Sequence, residues 1–231
     1  MSRTRWMALS FALGSLCFLV GPLPGYADLV GGSAVAATFL AGSIPFTIGG
    51  ALQSLLAWPD RRQSAGGRAA WRTAIIQSAG TLFFNATTAY ALSVTVSSAQ
   101  YDRLVWRPDA LGSACFLISG AIAYVASRRR GWLPAVTGPG WWEPAVNLIG
   151  CVLFGISAVA GYLVPSTGTI LDLAAANWTT ALGAACFLGC AVGSLLSGET
   201  SKLLHGRRIS TWEHEAVTDV DDVVAEAERL L

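Results

Sequence analysis

Residues 110–117 read ALGSACFL, and close copies stand at 12–19 (ALGSLCFL) and 181–188 (ALGAACFL). Each octet is apolar and sets a phenylalanine four residues after a glycine. In a helix, residues i and i+4 lie on one face. The glycine opens a notch in that face and the phenylalanine raises a knob on it. Lipid tails are as apolar as leucine, so helices in a bilayer associate through close packing at small residues. The octets therefore predict membrane helices that interlock, the knob of one span seated in the notch of a neighbour.

Working outward from the octets, six long apolar runs appear, near 7–26, 33–57, 73–97, 108–127, 142–164 and 173–197. Beyond their first two residues none contains Asp, Glu, Lys, Arg or His. Each is long enough to supply the roughly 20 helical residues that span about 30 Å of hydrocarbon. Helices are expected because hydrocarbon offers no partner to free N–H and C=O groups. The alternating segments of about ten residues that a barrel requires are absent. Charged residues make up only 13% of the chain, about half the share of an ordinary soluble domain, and they cluster between the runs.

A looser form of the octet recurs in every run. The pairs are Gly14/Phe18, Gly42/Phe46, Gly80/Phe84, Gly112/Phe116, Gly150/Phe154 and Gly183/Phe187. Runs three and five also share a Trp and an amide before the glycine: Trp71 with Gln77, and Trp141 with Asn147. Runs three and four thus read as a hairpin repeated in runs five and six, with runs one and two a diverged copy. The expected fold class is an all-α integral membrane protein: a six-transmembrane-helix bundle built from repeated helical hairpins. Residues 1–200 form the membrane domain and 201–231 a tail.

Lys and Arg give an expected orientation. Arg3, Arg5, Arg61, Arg62, Arg68, Arg72, Arg128, Arg129, Arg130, Lys202, Arg207 and Arg208 fall on one side of the alternating runs. The other side holds Arg103 and Arg107, which read as loop charges balanced by Asp102 and Asp109. Positive residues favour the cytoplasm, so both termini are expected there, in the inner membrane of a bacterial cell. Arg128, Arg129 and Arg130 are expected to touch anionic lipid heads, each contributing about 1 kcal/mol. Eight of the nine Trp residues stand near run ends, where an amphipathic ring is favoured. Arg3, Arg5 and the Gly25-Tyr26-Ala27 stretch also fit a secretory signal. The Gly14/Phe18 pair favours a retained first span.

The stretches ALGSLCFLVGPLPGY (12–26), FLAGSIPFTIGGALQ (39–53) and QSAGTLFFNATTAYAL (77–92) resemble YrhK-like multi-pass membrane proteins, actinobacterial ones above all. The resemblance covers most of 7–197. It implies architecture, and no activity, cofactor or catalytic residue.

The runs are poor in chemistry. Ionisable groups inside a bilayer mark ion paths and proton relays, and none lies deep in a run. Both histidines, His205 and His214, fall in the tail, which disfavours haem, metal and Ser-His chemistry. The five cysteines lie within runs and are expected to be free thiols that pack as small apolar groups. No cofactor, no metal and no enzymatic activity are expected. Glu143 and Asp172, at run edges, are the acids nearest to reopening catalysis. The uncharged polar cluster Gln53, Gln77, Asn85 and Asn147 has two readings: hydrogen bonds between helices, or the lining of a solute cavity. The first fits a structural or assembly subunit, the second a small-molecule or lipid transporter or channel. The tail carries a capping box, Ser210 to Glu213, and an apolar stripe on an acidic helix near 211–230. Acid repels an anionic leaflet, so the tail is expected to dock on the basic loops or on a protein partner. No nucleic-acid partner is expected.

Overall fold

The computed structural model describes residues 2–93, 98–128 and 141–197. The tail helix, Arg129 and Arg130 lie outside these residues. The described chain is almost wholly helical: α1 (Arg3–Val20), α2 (Tyr26–Val30), α3 (Gly32–Ala57), α4 (Ala65–Leu92), α5 (Ser98–Tyr101), a π-helical turn (Asp102–Trp106), α6 (Arg107–Ser127) and α7 (Glu143–Ala160). A two-stranded hairpin follows, β1 (Leu163–Val164) against β2 (Thr169–Ile170), and then α8 (Leu173–Ser197).

Four helical stretches are long and apolar enough to cross a membrane: Gly32–Ala57, Asp102–Ser127, Glu143–Ala160 and Leu173–Ser197. They point to a membrane protein. The remaining long helices, α1 and α4, carry more polar residues. Arg3 and Arg5 open α1, and α4 holds Arg68, Arg72, Gln77, Asn85 and several threonines. Yet all six long helices turn large apolar side chains outward at mid-length. Leu13, Ile44, Leu82, Ile118, Ile149 and Leu182 are each about half exposed or more. The interior combines phenylalanine rings with hydroxyls: Ser15, Ser43, Thr81, Ser113 and Ser119 are no more than 2% exposed. Greasy outside and hydroxyl-rich inside is the pattern of a protein whose solvent is lipid.

The helices pair as three hairpins, α1 with α3, α4 with α6, and α7 with α8. Within each, notch and knob are exchanged reciprocally. A Cβ added to Gly14 would lie 2.5 Å from Phe46, and one on Gly42 would lie 3.2 Å from Phe18. The same holds for Gly80 with Phe116 (2.7 Å) and Gly112 with Phe84 (3.2 Å). It holds again for Gly150 with Phe187 (2.8 Å) and Gly183 with Phe154 (2.6 Å). The backbones are equally close: a Cβ on Gly112 would stand 3.1 Å from the Gly80 carbonyl oxygen, and one on Gly183 3.1 Å from that of Gly150. The residue after each glycine turns into the centre. Ser15, Ser43, Thr81, Ser113, Cys151 and Ala184 are all essentially buried.

The six rings meet on the bundle axis as two triangles. Phe18, Phe84 and Phe154, from the first helix of each hairpin, have centroids 6.2, 5.8 and 6.1 Å apart. Phe46, Phe116 and Phe187, from the second helices, stand 6.1, 5.6 and 5.8 Å apart. Phe84 and Phe116 (5.0 Å) and Phe154 and Phe187 (5.4 Å) join the layers. The rings are thus related by an approximate threefold axis. Such pairs add about 0.5–1.5 kcal/mol each beyond contact area.

Several boundaries differ from the sequence expectation. α1 ends at Val20 rather than near 26, because Gly21–Gly25 forms a turn with Gly25 at φ 81°. α4 begins at Ala65, eight residues ahead of the third expected run, and ends at Leu92 rather than near 97. Ser64 caps it, accepting from Gly67 N at 2.9 Å. α7 ends at Ala160, and the expected run end at 164 is a strand. Pro165 to Gly168, with Gly168 at φ 69°, makes the turn between β1 and β2.

Candidate functional site

Two cavities flank the phenylalanine rings, at opposite ends of the bundle. Each has a volume of about 210 Å³. The first is lined by the start of α1 (Met7, Ala8), the end of α3 (Gln53), the start of α4 (Thr73, Gln77), the end of α6 (Ala123), the start of α7 (Glu143, Asn147) and the end of α8 (Cys190, Ser194). The second draws on the opposite helix ends, with Phe18, Phe39, Thr88, Trp106, Asp109, Ser157 and Thr180 among its walls. Helix direction therefore alternates through the bundle. Phe46 and Phe187 line the first cavity, and Phe18, Phe84 and Phe154 line the second. The gap left among the rings is about 10 Å³, at the lower limit of what one water needs.

Three of the four clustered amides meet. Gln53, Gln77 and Asn147 all line the first cavity, with Glu143 beside them. Gln77 is only 7% exposed, and the Gln53 Oε1 and Thr73 Oγ1 atoms are buried with no hydrogen-bond partner. Buried polar atoms are nearly always partnered, by protein or by ordered water. Two such atoms on one cavity wall mark it as a place for water or a hydrogen-bonding solute. Ser194 Oγ donates to Glu143 Oε2 at 3.4 Å, and Asn147 Nδ2 reaches Cys151 Sγ at 3.9 Å. The charged edge of this end includes Arg61, whose guanidinium lies 3.3 Å over the Trp58 ring, and Arg128, 5.9 Å from the Tyr124 ring.

Asn85 stands apart from that group. Its Nδ2 donates to Thr47 Oγ1 at 2.8 Å, joining α4 to α3. Ser43 and Thr88 hydroxyls meet across the same interface at 3.0 Å. Ser113 Oγ donates to the Phe154 carbonyl (3.3 Å), and Ser157 meets Thr180 at 2.6 Å. The amides therefore divide between the two expected roles, Asn85 as a bond between helices and the other three on a cavity wall.

No family model, curated protein or solved structure matches the chain. The cavities themselves must carry the functional reading.

Asp109 is the residue that sequence reasoning missed. Read as a loop charge opposite Arg103 and Arg107, it proves to sit in the first turn of α6 and to line the second cavity. The π-helical turn at Asp102–Trp106 continues directly into α6, so the helix begins well before the apolar run does. Arg107 is already engaged, its guanidinium 2.9 Å from Asp102. Pro108-Asp109 at the head of an apolar run is a helix-start signature that would have flagged it. Nearby Tyr101 has its phenol pushed above the ordinary range by burial, and next by the Asp109 charge. Glu143, expected at a run edge, is likewise the first residue of α7 and faces the first cavity. Asp172 serves structure instead: its Oδ1 accepts from Ala175 N at 2.9 Å at the start of α8.

The five cysteines are free, and the described residues hold no group of three or more His, Cys, Asp or Glu placed to bind a metal. Cys17 and Cys186 pack beside the Gly42 and Gly150 notches, where an added Cβ would lie 2.6 and 3.1 Å from their Cβ atoms.

Proposed function

We propose that the chain crosses the bilayer six times, with its arginine-bearing end in the cytoplasm, and moves a small solute between two cavities gated by the phenylalanine plug. The observation that carries this reading is the pair of cavities of about 210 Å³ on either side of the rings. An interior built only for stability has no need of a carboxylate at each end or of buried, unpartnered amide and hydroxyl oxygens. The plug separates the two compartments, as transport by alternating access demands. The outward-facing leucines and isoleucines of α1 and α4 support crossings by these helices too. The arginines at the first-cavity end support the cytoplasmic placement of that end. The three hairpins support descent from one two-helix unit, and the YrhK-like resemblance fits that architecture.

A structural or assembly subunit is the second reading, favoured by the tightness of the plug. The tail beyond 197 would then supply the docking element. Flux into liposomes decides between the two. A transporter or channel gives protein-dependent uptake of small solutes, increased when Phe116 is replaced by alanine. An assembly subunit gives none in either form.

A further inference from the structure

We propose that the Asp109 cavity is a binding site for a small organic cation, a primary amine or quaternary ammonium up to about the size of choline. The site rests on the reading of this cavity as a solute compartment, and four observations assign its chemistry. The first is its walls. Phe18, Phe39, Phe84, Tyr101, Trp106 and Phe154 all line it, and aromatic faces attract cations held within about 6 Å of the ring centroid.

The second is the carboxylate. Asp109 lines the same space, and among the described residues the ion pair at this end joins Arg107 to Asp102 and leaves Asp109 out. Burial makes a lone carboxylate costly, and a cation beside it offsets that cost.

The third is the state of the other polar groups. The Trp106 indole N–H donates to the Ala158 carbonyl at 2.8 Å. The Thr87 hydroxyl donates to Val105 O at 2.8 Å and Thr88 to Phe84 O at 2.8 Å. The Ser157 and Thr180 hydroxyls, 2.6 Å apart, spend their two protons between one another and the Ala176 carbonyl, which lies 3.0 and 2.9 Å from them. These donors are committed to the protein's own oxygens. The Asn177 amide is the donor left on the wall, and an anion would also face Asp109. A cation needs no donor from the wall.

The fourth is size. A cavity of about 150 Å³ suffices for benzene, so 210 Å³ admits an ammonium bearing a few carbon substituents.

Isothermal titration of the full-length protein in nanodiscs tests this with choline and tetramethylammonium as probes. The control ligand is choline's neutral isostere, in which a quaternary carbon replaces the nitrogen. Saturable choline binding at least about tenfold tighter than the isostere is expected, the size of a desolvated cation–π and charge contribution. Asp109→Asn should remove most of that difference. Asp28→Asn, which alters an exposed acid on α2, should not. Equal binding of choline and its isostere, or no saturation by either cation with folded wild-type protein, overturns the site without recourse to any variant. Liposome flux separates this from the transport reading. Choline binding without flux keeps the site and ends the transporter; flux of neutral solutes without choline binding does the reverse.

Discussion

Phe154 lies over Gly183 so closely that a single added methyl group would stand 2.6 Å from its ring. Gly189, six residues further along α8, has open space where a Cβ would go. The two glycines share a helix and differ only in what faces them. Gly183→Ala should therefore cost about 1–3 kcal/mol through overpacking. Gly189→Ala should be neutral or stabilise by up to about 1 kcal/mol through lost backbone freedom in the unfolded chain. Thermal unfolding in detergent, measured for both, checks the contrast. Equal effects would mean that the notch has no special tolerance to lose.

Phe116 is 2% exposed and packs against Phe46, Phe84, Phe154 and Phe187. Truncation to alanine should destabilise the fold by about 3–5 kcal/mol, as for other buried phenylalanines. It should also enlarge the 10 Å³ gap among the rings enough to connect the cavities. Denaturation in mixed micelles reads the first effect, and the entry of water along the axis in a hydrogen-exchange experiment reads the second.

The Asn85–Thr47 bond lends itself to a double-mutant cycle. Its coupling energy should fall near 0.6 kcal/mol and not above about 2, the range for hydrogen bonds between membrane helices. Gln77→Leu offers the comparison. Gln77 faces a cavity instead of a neighbouring donor, so its loss should leave folded yield nearly unchanged.

Cys151, 1% exposed, sits against Gly120, where a Cβ would meet its sulfur at 2.9 Å. Maleimide should leave it unmodified in the folded protein and react only after unfolding. Mass spectrometry of digested samples gives the answer directly.

Much of this arrangement was legible in the sequence, and the reason is periodicity. Gly14 and Phe18, or Gly183 and Phe187, share a helix face whatever the rest of the chain does, so notch and knob could be read from spacing alone. Which knob meets which notch depends on how the helices pair, and so did the two triangles of rings. Asp109 escaped because its meaning depends on the π-helical turn before it, which turns a supposed loop charge into a wall of the cavity. Ser64 escaped for a related reason: it caps α4 nine residues before the apolar run at 73, where hydropathy gives no sign of a helix start. The strands at 163–170 were hidden by apolar residues that continue the composition of α7 past its end.

The central claim is that the chain crosses the bilayer six times and that the rings keep two cavities on opposite faces. Its most direct test is side-specific labelling of single cysteines by a membrane-impermeant thiol reagent, in a cysteine-free background. One cysteine replaces Asn177, beside the Asp109 cavity, and another replaces Ser194, in the Gln77 cavity. The account predicts that position 177 reacts only from outside intact cells and position 194 only in inverted vesicles. Reaction of both from one face, or of either from both faces, would contradict it.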